Sequence, residues 1–360
     1  MHYAEMELKM SEKLLMKGNE VIAEAAIRAG CKHYFGYPIT PQTEIAHYMA
    51  KKMPEIHGTF VQAESEVAAI NMVYGAAAAG ARVLTSSSSP GISLKQEGLS
   101  YIAGAELPCV IVNIVRCGPG LGGILPAQCD YFQAVKGGGH GDYKMVVLAP
   151  ASVQELYELT VDAFNISDKY RICTMIMGDG MLGQMMEAVE FKDCEEIYQA
   201  DKGWATTGTK MQRESNDVTS IYINPEILEK HNLKLQAKYR QIEQKEVLVE
   251  TYNCENADII VTAYGTIARI IKNVIKSAEK EGIKVGLIRP VTLWPFPTAA
   301  FEQYSETPKA FLSVELSAGQ MVEDVRLAVN GKRPVHFYGR MGGMVPSQKE
   351  ILNKIKEILK

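Results

Sequence analysis

The sequence has no C-x-x-C pair and no cysteine-dense stretch, although it contains seven cysteines in 360 residues. An odd, scattered set argues against a disulfide framework and against a zinc or iron–sulfur site built by this chain. Several of the cysteines lie in apolar stretches, where a thiol is usually a small buried hydrophobic group. The cysteines are Cys31, Cys109, Cys117, Cys129, Cys173, Cys194 and Cys254.

Long apolar runs and excess positive charge are also absent. No apolar run approaches the ~20 residues that cross a bilayer, and the first residues, MHYAEMELKM, lack the apolar core of a signal peptide. The 38 Lys and Arg residues are outnumbered by 42 Asp and Glu residues, so no broad basic surface is expected for nucleic acid. These absences predict a cytoplasmic protein with no membrane or nucleic-acid partner.

The sequence also lacks a complete phosphate-binding fingerprint. Two glycine-rich stretches, GPGLGG at residues 118–123 and KGGGHG at 136–141, match neither G-x-x-x-x-G-K-[ST] nor a true G-x-G-x-x-G. Both are more typical of loops in which two backbones approach closely. His140 in the second loop is only a weak catalytic candidate.

Strand and helix patterns alternate through the first half of the chain and again through its last part. Such alternation predicts parallel sheets covered by helices on both faces, and 360 residues exceed one compact core. The intervening segment is more charged and carries one predicted long helix near residues 225–246. We therefore expect two three-layer α/β/α domains with mainly parallel sheets, at residues 1–186 and 251–360, with a connector at 187–250.

Four loops of the first domain follow the carboxyl ends of predicted strands. They comprise residues 37–41 (YPITP), 63–66, 86–91 and 116–123. Ligands of open α/β sheets bind at this edge. We expect the four loops to converge on one crevice.

Glu66 opens an alanine-rich helix immediately after Ser65. One interpretation is structural: a serine N-cap with an acid in the first turn, which the helix dipole favours. The other is functional, because a carboxylate held at the mouth of a closely packed helix is partly desolvated and its protonated form is favoured. Such a group can share a proton with a ligand nitrogen.

Arg116 and Thr40 are the other candidates. Arg116 ends the apolar strand LPCVIVNIV, where it is either a solvated strand-end side chain or a clamp that holds a carboxylate with two parallel hydrogen bonds. Thr40 lies between two prolines, which stiffen its backbone. It is either part of a rigid turn or a hydroxyl and amide held toward a ligand.

At these residues the chain resembles the 2-oxoacid:ferredoxin oxidoreductases, in the subunit with a pyrimidine-binding domain and a transketolase C-terminal-like domain. The resemblance covers essentially the whole chain. It is carried by YPITPQTEI (37–45), QAESEVAAINMVYGAAAAGARVLTSSSSPG (62–91), ELPCVIVNIVRCGPG (106–120) and the closing part from Ala257. A glutamate followed nine residues later by glycine, here Glu66 and Gly75, is shared more widely among thiamine enzymes.

The resemblance implies a role for each candidate. Glu66 matches the glutamate that bonds the pyrimidine nitrogen of thiamine diphosphate and stabilises its imino form; Glu64 is the competitor, which the spacing to Gly75 disfavours. Arg116 matches a clamp for the substrate carboxylate, and Thr40 is similar in role. The residues expected to contact the cofactor are Pro38, Ile39, Glu66, Ser89 and Pro90.

The resemblance also implies partners. Thiamine enzymes carry a G-D-G followed by asparagines that hold magnesium and diphosphate, but residues 178–180 (GDG) are followed by no asparagine until Asn216. We read this GDG as a strand-end turn. Thiamine diphosphate is therefore expected to be shared with a diphosphate-binding beta subunit, and Mg²⁺ and iron–sulfur clusters to lie in partner subunits only. Further expected partners are iron–sulfur (ferredoxin-like) and gamma subunits, ferredoxin, coenzyme A and a 2-oxoacid, in a dimer of the catalytic unit.

Among relatives, SSSSPGISLKQEGLSYIAGAE and RCGPGLGG are most similar to the branched-chain type, which acts on 3-methyl-2-oxobutanoate (ketoisovalerate). The 2-oxoglutarate type is the alternative. A nucleotide-binding α/β enzyme would need the missing phosphate fingerprint. A non-catalytic assembly subunit would have no need to retain Glu66, Arg116 and Thr40 together. The preferred acid, the oligomeric state and the physiological direction stay open.

Overall fold

The structure is a computed structural model that describes residues 13–191 and 197–360. The segment MHYAEMELKM and Cys194 lie outside the described residues. The strands are β1 (Lys13–Lys17), β2 (His33–Gly36), β3 (Thr59–Gln62), β4 (Val83–Ser87), β5 (Cys109–Val115), β6 (Val146–Leu148), β7 (Cys173–Asp179), β8 (Met186–Glu190), β9 (Val249–Tyr252), β10 (Ile259–Thr262), β11 (Val285–Pro290), β12 (Thr292–Trp294), β13 (Ala310–Glu315) and β14 (Val335–Gly339). The helices are α1 (Gly18–Arg28), α2 (Thr43–Lys52), α3 (Glu66–Ala78), α4 (Ser89–Gly104), α5 (Val153–Tyr170), α6 (Gly180–Gln184), α7 (Pro225–Lys245), α8 (Gly265–Glu279), α9 (Thr298–Tyr304), α10 (Met321–Val329) and α11 (Gln348–Leu359).

The first sheet has seven strands in the order β12-β6-β7-β5-β4-β2-β3. All neighbours pair in parallel except β12, which is antiparallel to β6. The central strands β5 and β7 are buried along their whole length because helices cover both faces. Cys109 and Cys173 face each other in this pair, which confirms them as small buried side chains.

The second sheet has five strands in the order β14-β13-β10-β11-β9. It is parallel except for the edge strand β9, which is antiparallel to β11. Helix α8 packs its apolar stripe, including Ile267, Ile271 and Val274, into this core. The expected α/β fold with two mainly parallel sheets is confirmed, as is the long helix α7.

Four short strands have no counterpart in the sequence analysis. β1 and β8 form a separate antiparallel pair. β9 begins at Val249, and β12 leaves the C-terminal part of the chain to extend the first sheet. These four strands have only three to five residues and little periodicity of their own, so tertiary pairing decides them. The boundaries at residues 186 and 250 stay a prediction.

The segment around Gln128 and Tyr131, which follows β5 in the chain, is held against the second sheet by hydrogen bonds between the two halves of the molecule. Gln128 donates to the Tyr264 carbonyl at 3.0 Å and accepts from the Leu316 amide at 2.9 Å. The Tyr131 hydroxyl donates to Asp324 at 2.7 Å. A loop of the second unit therefore lies beside the strand ends of the first.

Candidate active site

The four predicted loops meet because their strands are neighbours in the sheet, in the order β5-β4-β2-β3. An Arg116 guanidinium nitrogen donates to the Thr40 carbonyl at 3.0 Å. The Ser89 hydroxyl bridges both the amide and the carbonyl of Arg116, each at 3.1 Å. The loops after β2, β4 and β5 are thus bonded to one another, as expected for carboxyl ends of parallel strands.

Arg116 is half-buried and only partly paired. Its second terminal nitrogen donates to the Leu121 carbonyl at 3.2 Å, while its Nε is buried and has no partner among the described residues. A guanidinium presents five N–H donors in a planar fork. Bonds to two neutral carbonyls leave its charge uncompensated, which suits an anionic ligand.

Glu66 begins α3 and is buried, with 6% of its surface exposed. Ser65 caps the helix by accepting from the Ala68 amide at 3.1 Å, so the structural interpretation of Ser65 is confirmed. No described residue hydrogen-bonds to the Glu66 carboxylate. A buried carboxylate without hydrogen bonds is costly, and a ligand donor would satisfy it. The competitor Glu64 is exposed.

Gly91, in the first turn of α4, leaves the room that the Glu66 carboxylate occupies. A Cβ on Gly91 would lie 2.6 Å from Glu66 Oε1 and would also overlap the Ser87 hydroxyl. That hydroxyl is buried and has no partner among the described residues. A carboxylate and a hydroxyl therefore lie side by side, both without protein partners.

Lys95 lies one turn further along α4 and is fully buried. Its Nζ donates to Thr85 Oγ1 at 3.0 Å. Burial lowers the pKa of Lys95 to about 8, although the nearby charge of Glu66 opposes that shift. Lys95 was not predicted from the sequence. Its position among the apolar residues of α4 could have indicated a buried lysine.

A cavity of about 390 Å³ opens beside Arg116, between the two halves of the molecule. Of the predicted site residues, Ser89, Pro90 and Arg116 line it, and Thr40 and Glu66 do not. Its remaining wall comes mainly from the loop after Cys117, from the segment around Asp130 and from the C-terminal part of the chain. The C-terminal residues in the wall are Leu316, Ser317, Ala318, Gln320, Met341 and Gly342.

Asp130 is the acidic group in this cavity and accepts from Asn113 Nδ2 at 2.9 Å. Burial raises the pKa of Asp130, and its hydrogen bonds only partly offset that effect. The neighbouring Cys129 also has a raised pKa, of about 11, chiefly because of burial. Since both shifts disfavour negative charge, they limit competition with an anion for Arg116.

The residues contributed by the C-terminal half were not predicted. Leu316 and Ser317 directly follow Glu315, the last residue of the parallel strand β13. The rule that ligands lie at carboxyl strand ends, applied to the second sheet, would have pointed to this loop. Its position against Arg116 depends on how the two halves pack, which no local pattern reveals.

Other predicted residues are less central. Pro38 is exposed and Ile39 is half-buried, and neither lines the cavity. His140 packs edge-on against Tyr101. Asp179 of the GDG ends β7 and caps α6 by accepting from the Met181 and Leu182 amides, so the GDG lies at a strand end, as predicted, but leads directly into a helix instead of a turn. Within residues 13–191 and 197–360, no group of three or more His, Cys, Asp or Glu side chains could hold a metal ion.

A larger cavity of about 660 Å³ lies elsewhere, lined in part by Cys254, Ile275 and Tyr304. It contains none of the predicted residues. The smaller cavity is the better candidate because it combines an incompletely paired arginine with buried titratable groups.

Two family models together match most of the chain. One, described as "Pyruvate flavodoxin/ferredoxin oxidoreductase, thiamine diP-bdg", matches residues 24–251. The chain belongs to the 2-oxoacid:ferredoxin oxidoreductases. A second model, "Pyruvate:ferredoxin oxidoreductase core domain II", matches residues 257–351 of this oxidoreductase chain. No helix in the parts of the oxidoreductase chain that the structure describes is long and apolar enough to cross a membrane.

Two relatives show which members of the 2-oxoacid:ferredoxin oxidoreductases this chain is similar to. The ketoisovalerate oxidoreductase subunit VorB of Methanothermobacter marburgensis is 51% identical over 344 residues, covering 96% of this chain and 97% of that subunit. The 2-oxoglutarate synthase subunit KorA of the same organism is 35% identical over 373 residues, covering 96% and 99%.

A solved oxidoreductase of the same kind has the same fold. The 2-oxoglutarate:ferredoxin oxidoreductase of Magnetococcus marinus, with 2-oxoglutarate, coenzyme A and succinyl-CoA bound, superposes with a TM-score of 0.85 at 27% identity. The match covers 97% of this chain and 66% of that chain.

Proposed function

We propose that this chain is a subunit of a ketoisovalerate-type 2-oxoacid:ferredoxin oxidoreductase. Within that enzyme, this subunit binds the pyrimidine end of thiamine diphosphate. The reaction is oxidative decarboxylation of 3-methyl-2-oxobutanoate to an acyl-CoA, carbon dioxide and reduced ferredoxin. The main support for this substrate is sequence identity. The chain is 51% identical to a ketoisovalerate oxidoreductase subunit but 35% identical to a 2-oxoglutarate synthase subunit.

The chemistry of the cavity supports the same substrate. Arg116 is the one Lys or Arg among the described residues that line it, and Leu316 and Met341 add apolar surface. A branched-chain 2-oxoacid has one carboxylate and an apolar tail. 2-Oxoglutarate has a second carboxylate, which needs its own cation when it is desolvated.

The unpaired groups around Glu66 fit an aminopyrimidine ring. The Glu66 carboxylate and the Ser87 hydroxyl lack protein partners, and Gly91 leaves space beside them. In this proposal Glu66 holds and returns a proton at the ring nitrogen, while Pro38, Ile39, Ser89 and Pro90 line the cofactor. Thiamine diphosphate, when bound, supplies a nucleophilic carbon and an electron sink.

Arg116 and Thr40 orient the substrate in this proposal. The planar fork of Arg116 binds the 2-oxoacid carboxylate, and its bond to the Thr40 carbonyl fixes the guanidinium against the turn that follows β2. When the carboxylate is bound at Arg116, the adjacent oxo carbon of the substrate is held in a fixed orientation. The raised pKa of Asp130 makes a competing negative charge beside this arginine less favourable.

The remaining parts of the reaction belong to partners in this proposal. A beta subunit holds the diphosphate and Mg²⁺; iron–sulfur and gamma subunits accept the electrons one at a time and pass them to ferredoxin. The assembly is a cytoplasmic dimer of the catalytic unit. This chain contributes a pyrimidine-binding domain at residues 1–186, a connector at 187–250 and a transketolase C-terminal-like domain at 251–360.

A panel of 2-oxoacids, assayed with the complete complex, tests the proposal. We expect the highest kcat/KM for 3-methyl-2-oxobutanoate. Arg116→Lys should lower kcat/KM for every 2-oxoacid by roughly tenfold to a hundredfold, because the loss of a paired, charge-assisted bond costs about 1.5–3 kcal/mol. Arg326→Lys, on an exposed face of α10, is the matched control and should change little.

Three outcomes would contradict parts of this assignment. A preference for 2-oxoglutarate would replace the substrate. A normal kcat/KM in Arg116→Lys would return Arg116 to a strand-end surface role. A complete complex that turns over no 2-oxoacid would favour an assembly subunit or a nucleotide-binding enzyme.

A further inference from the structure

Lys95 is a buried lysine for which the proposed function has no role. It is 0% exposed, and in the described part of the chain its hydrogen bond is to the neutral Thr85 hydroxyl. A buried ammonium with one neutral acceptor is costly unless an opposite charge lies nearby. The charge that faces it therefore determines what it can do.

Helix geometry places Lys95 on the face of α4 against which the Glu66 carboxylate packs. Gly91, Lys95 and Gly98 are four and three residues apart, so they share one face of α4. That face packs against α3: Glu66 lies over Gly91, and a Cβ on Gly98 would lie 2.6 Å from Ile70. Lys95 lies between these two close contacts, on the side of α4 that faces α3.

Few titratable groups face Lys95. Glu66 faces it from α3 and Cys109 from β5, while β4 contributes the neutral Thr85. Glu97 is on the same helix, but it is exposed and hydrogen-bonded to Tyr101. Glu66 is thus the carboxylate with which the Lys95 charge interacts.

We propose that Lys95, as an ammonium, is a positioning residue that favours the carboxylate form of Glu66 and so helps transfer the Glu66 proton to the pyrimidine nitrogen of the cofactor. The inference rests on the proposed role of Glu66. A cation behind the carboxylate stabilises the state in which the proton has left the glutamate. Deprotonating Lys95 removes that help, so cofactor activation should weaken as the pH rises through the titration of this lysine.

Proton–deuterium exchange at the thiazolium carbon, measured in the assembled enzyme from about pH 6 to about pH 10, tests this role. In the wild type, the exchange rate should fall as the pH rises through about 8, where Lys95 loses its charge. Lys95→Met should exchange roughly threefold to tenfold more slowly at neutral pH and should lack that alkaline fall. Lys95→Arg, which stays charged throughout, should keep its neutral rate above pH 8.

A second measurement needs no bound cofactor. The stability of the purified full chain is compared in wild type, Lys95→Met, Glu66→Gln and the double variant, as a double-mutant cycle. A non-zero coupling is expected at neutral pH and should shrink above pH 8. Between about pH 8 and pH 10.5, the folded wild type binds fewer protons than the unfolded chain. Its free energy of unfolding should therefore increase relative to that of Lys95→Met as the pH rises across that window.

The outcomes separate this inference from the proposed function. If Glu66→Gln exchanges as fast as wild type, the role of Glu66 itself is wrong. If Glu66→Gln is slow while Lys95→Met matches wild type at every pH, Lys95 is only a packing residue. Should Lys95→Met fail to fold, wild type and Lys95→Arg still decide, because identical alkaline profiles in those two proteins would overturn the inference.

Discussion

Glu66 and Glu64 are only two residues apart in the chain, yet one is buried and the other is exposed to solvent. Glu66 begins α3 with its carboxylate against α4, whereas Glu64 precedes the helix and is exposed. The same carboxyl group therefore faces a different dielectric environment in each place. Only the buried carboxylate lies against α4, beside the unpartnered Ser87 hydroxyl.

Glu66→Gln in the assembled enzyme is expected to leave folding intact and to slow thiazolium proton exchange by about a hundredfold or more, because an amide cannot share the proton. Glu64→Gln is the matched control and should exchange at nearly the wild-type rate. Exchange followed by NMR on both preparations measures the difference. A slow Glu64→Gln beside a normal Glu66→Gln would transfer the role to Glu64.

The pairing of α3 with α4 depends on glycines that have different surroundings. Gly98 meets Ile70, which is buried, so an added methyl group has no space. Gly75 of α3 has nothing within 4 Å of an added Cβ. The close approach of the two helices, and with it the position of Glu66 over Gly91, therefore depends on Gly98 and not on Gly75.

Gly98→Ala should lower the free energy of unfolding by about 1–3 kcal/mol because it overpacks the α3–α4 contact. Gly75→Ala should raise it by about 0.5–1 kcal/mol, since alanine loses less backbone entropy than glycine in a helix. Urea unfolding of the purified chain gives both values, provided the m-value is unchanged. Equal effects at the two sites would show that α3 and α4 are not in close contact.

For the molecule as a whole, the candidate cavity depends on how the two sheets are joined. β12 carries the C-terminal half into the first sheet, and the preceding strand places Arg289 between the halves. The Arg289 guanidinium donates to Glu155 at 2.8 and 2.9 Å and to Glu250 at 2.7 Å. This network fixes the relative position of the sheets that form the two walls.

Arg289→Met should lower the free energy of unfolding by about 2–3 kcal/mol, because it removes the cation that pairs with the partly buried Glu155 and one of the two cations that pair with Glu250, whose other partner is Lys272. Arg340→Met breaks the pair with Glu350, in which the arginine is far more exposed than Arg289, and should destabilise the protein less than Arg289→Met. Thermal unfolding of the two variants compares them directly. A loss at Arg340 as large as that at Arg289 would mean that burial of the network is not what makes it stabilising.

The sequence by itself was sufficient for the alternating elements, the two mainly parallel sheets and the family. Buried strands such as CVIVNIV and amphipathic helices such as α8 carry periodicities that depend only on neighbours along the chain. The convergence of the loops holding Thr40, Ser89 and Arg116 was also predictable, because carboxyl ends of adjacent parallel strands meet at one edge.

Tertiary structure alone decided which groups share the site. β12 joins the first sheet, the loop after β13 closes the cavity beside Arg116, and Lys95 lies on the face of α4 that packs against α3. Each of these contacts joins residues that are far apart in the sequence, and the local sequence pattern around one residue does not predict its partner. A three-residue strand or a single lysine in a helix carries no periodic signal, so its role is determined only when distant elements pack and exclude water.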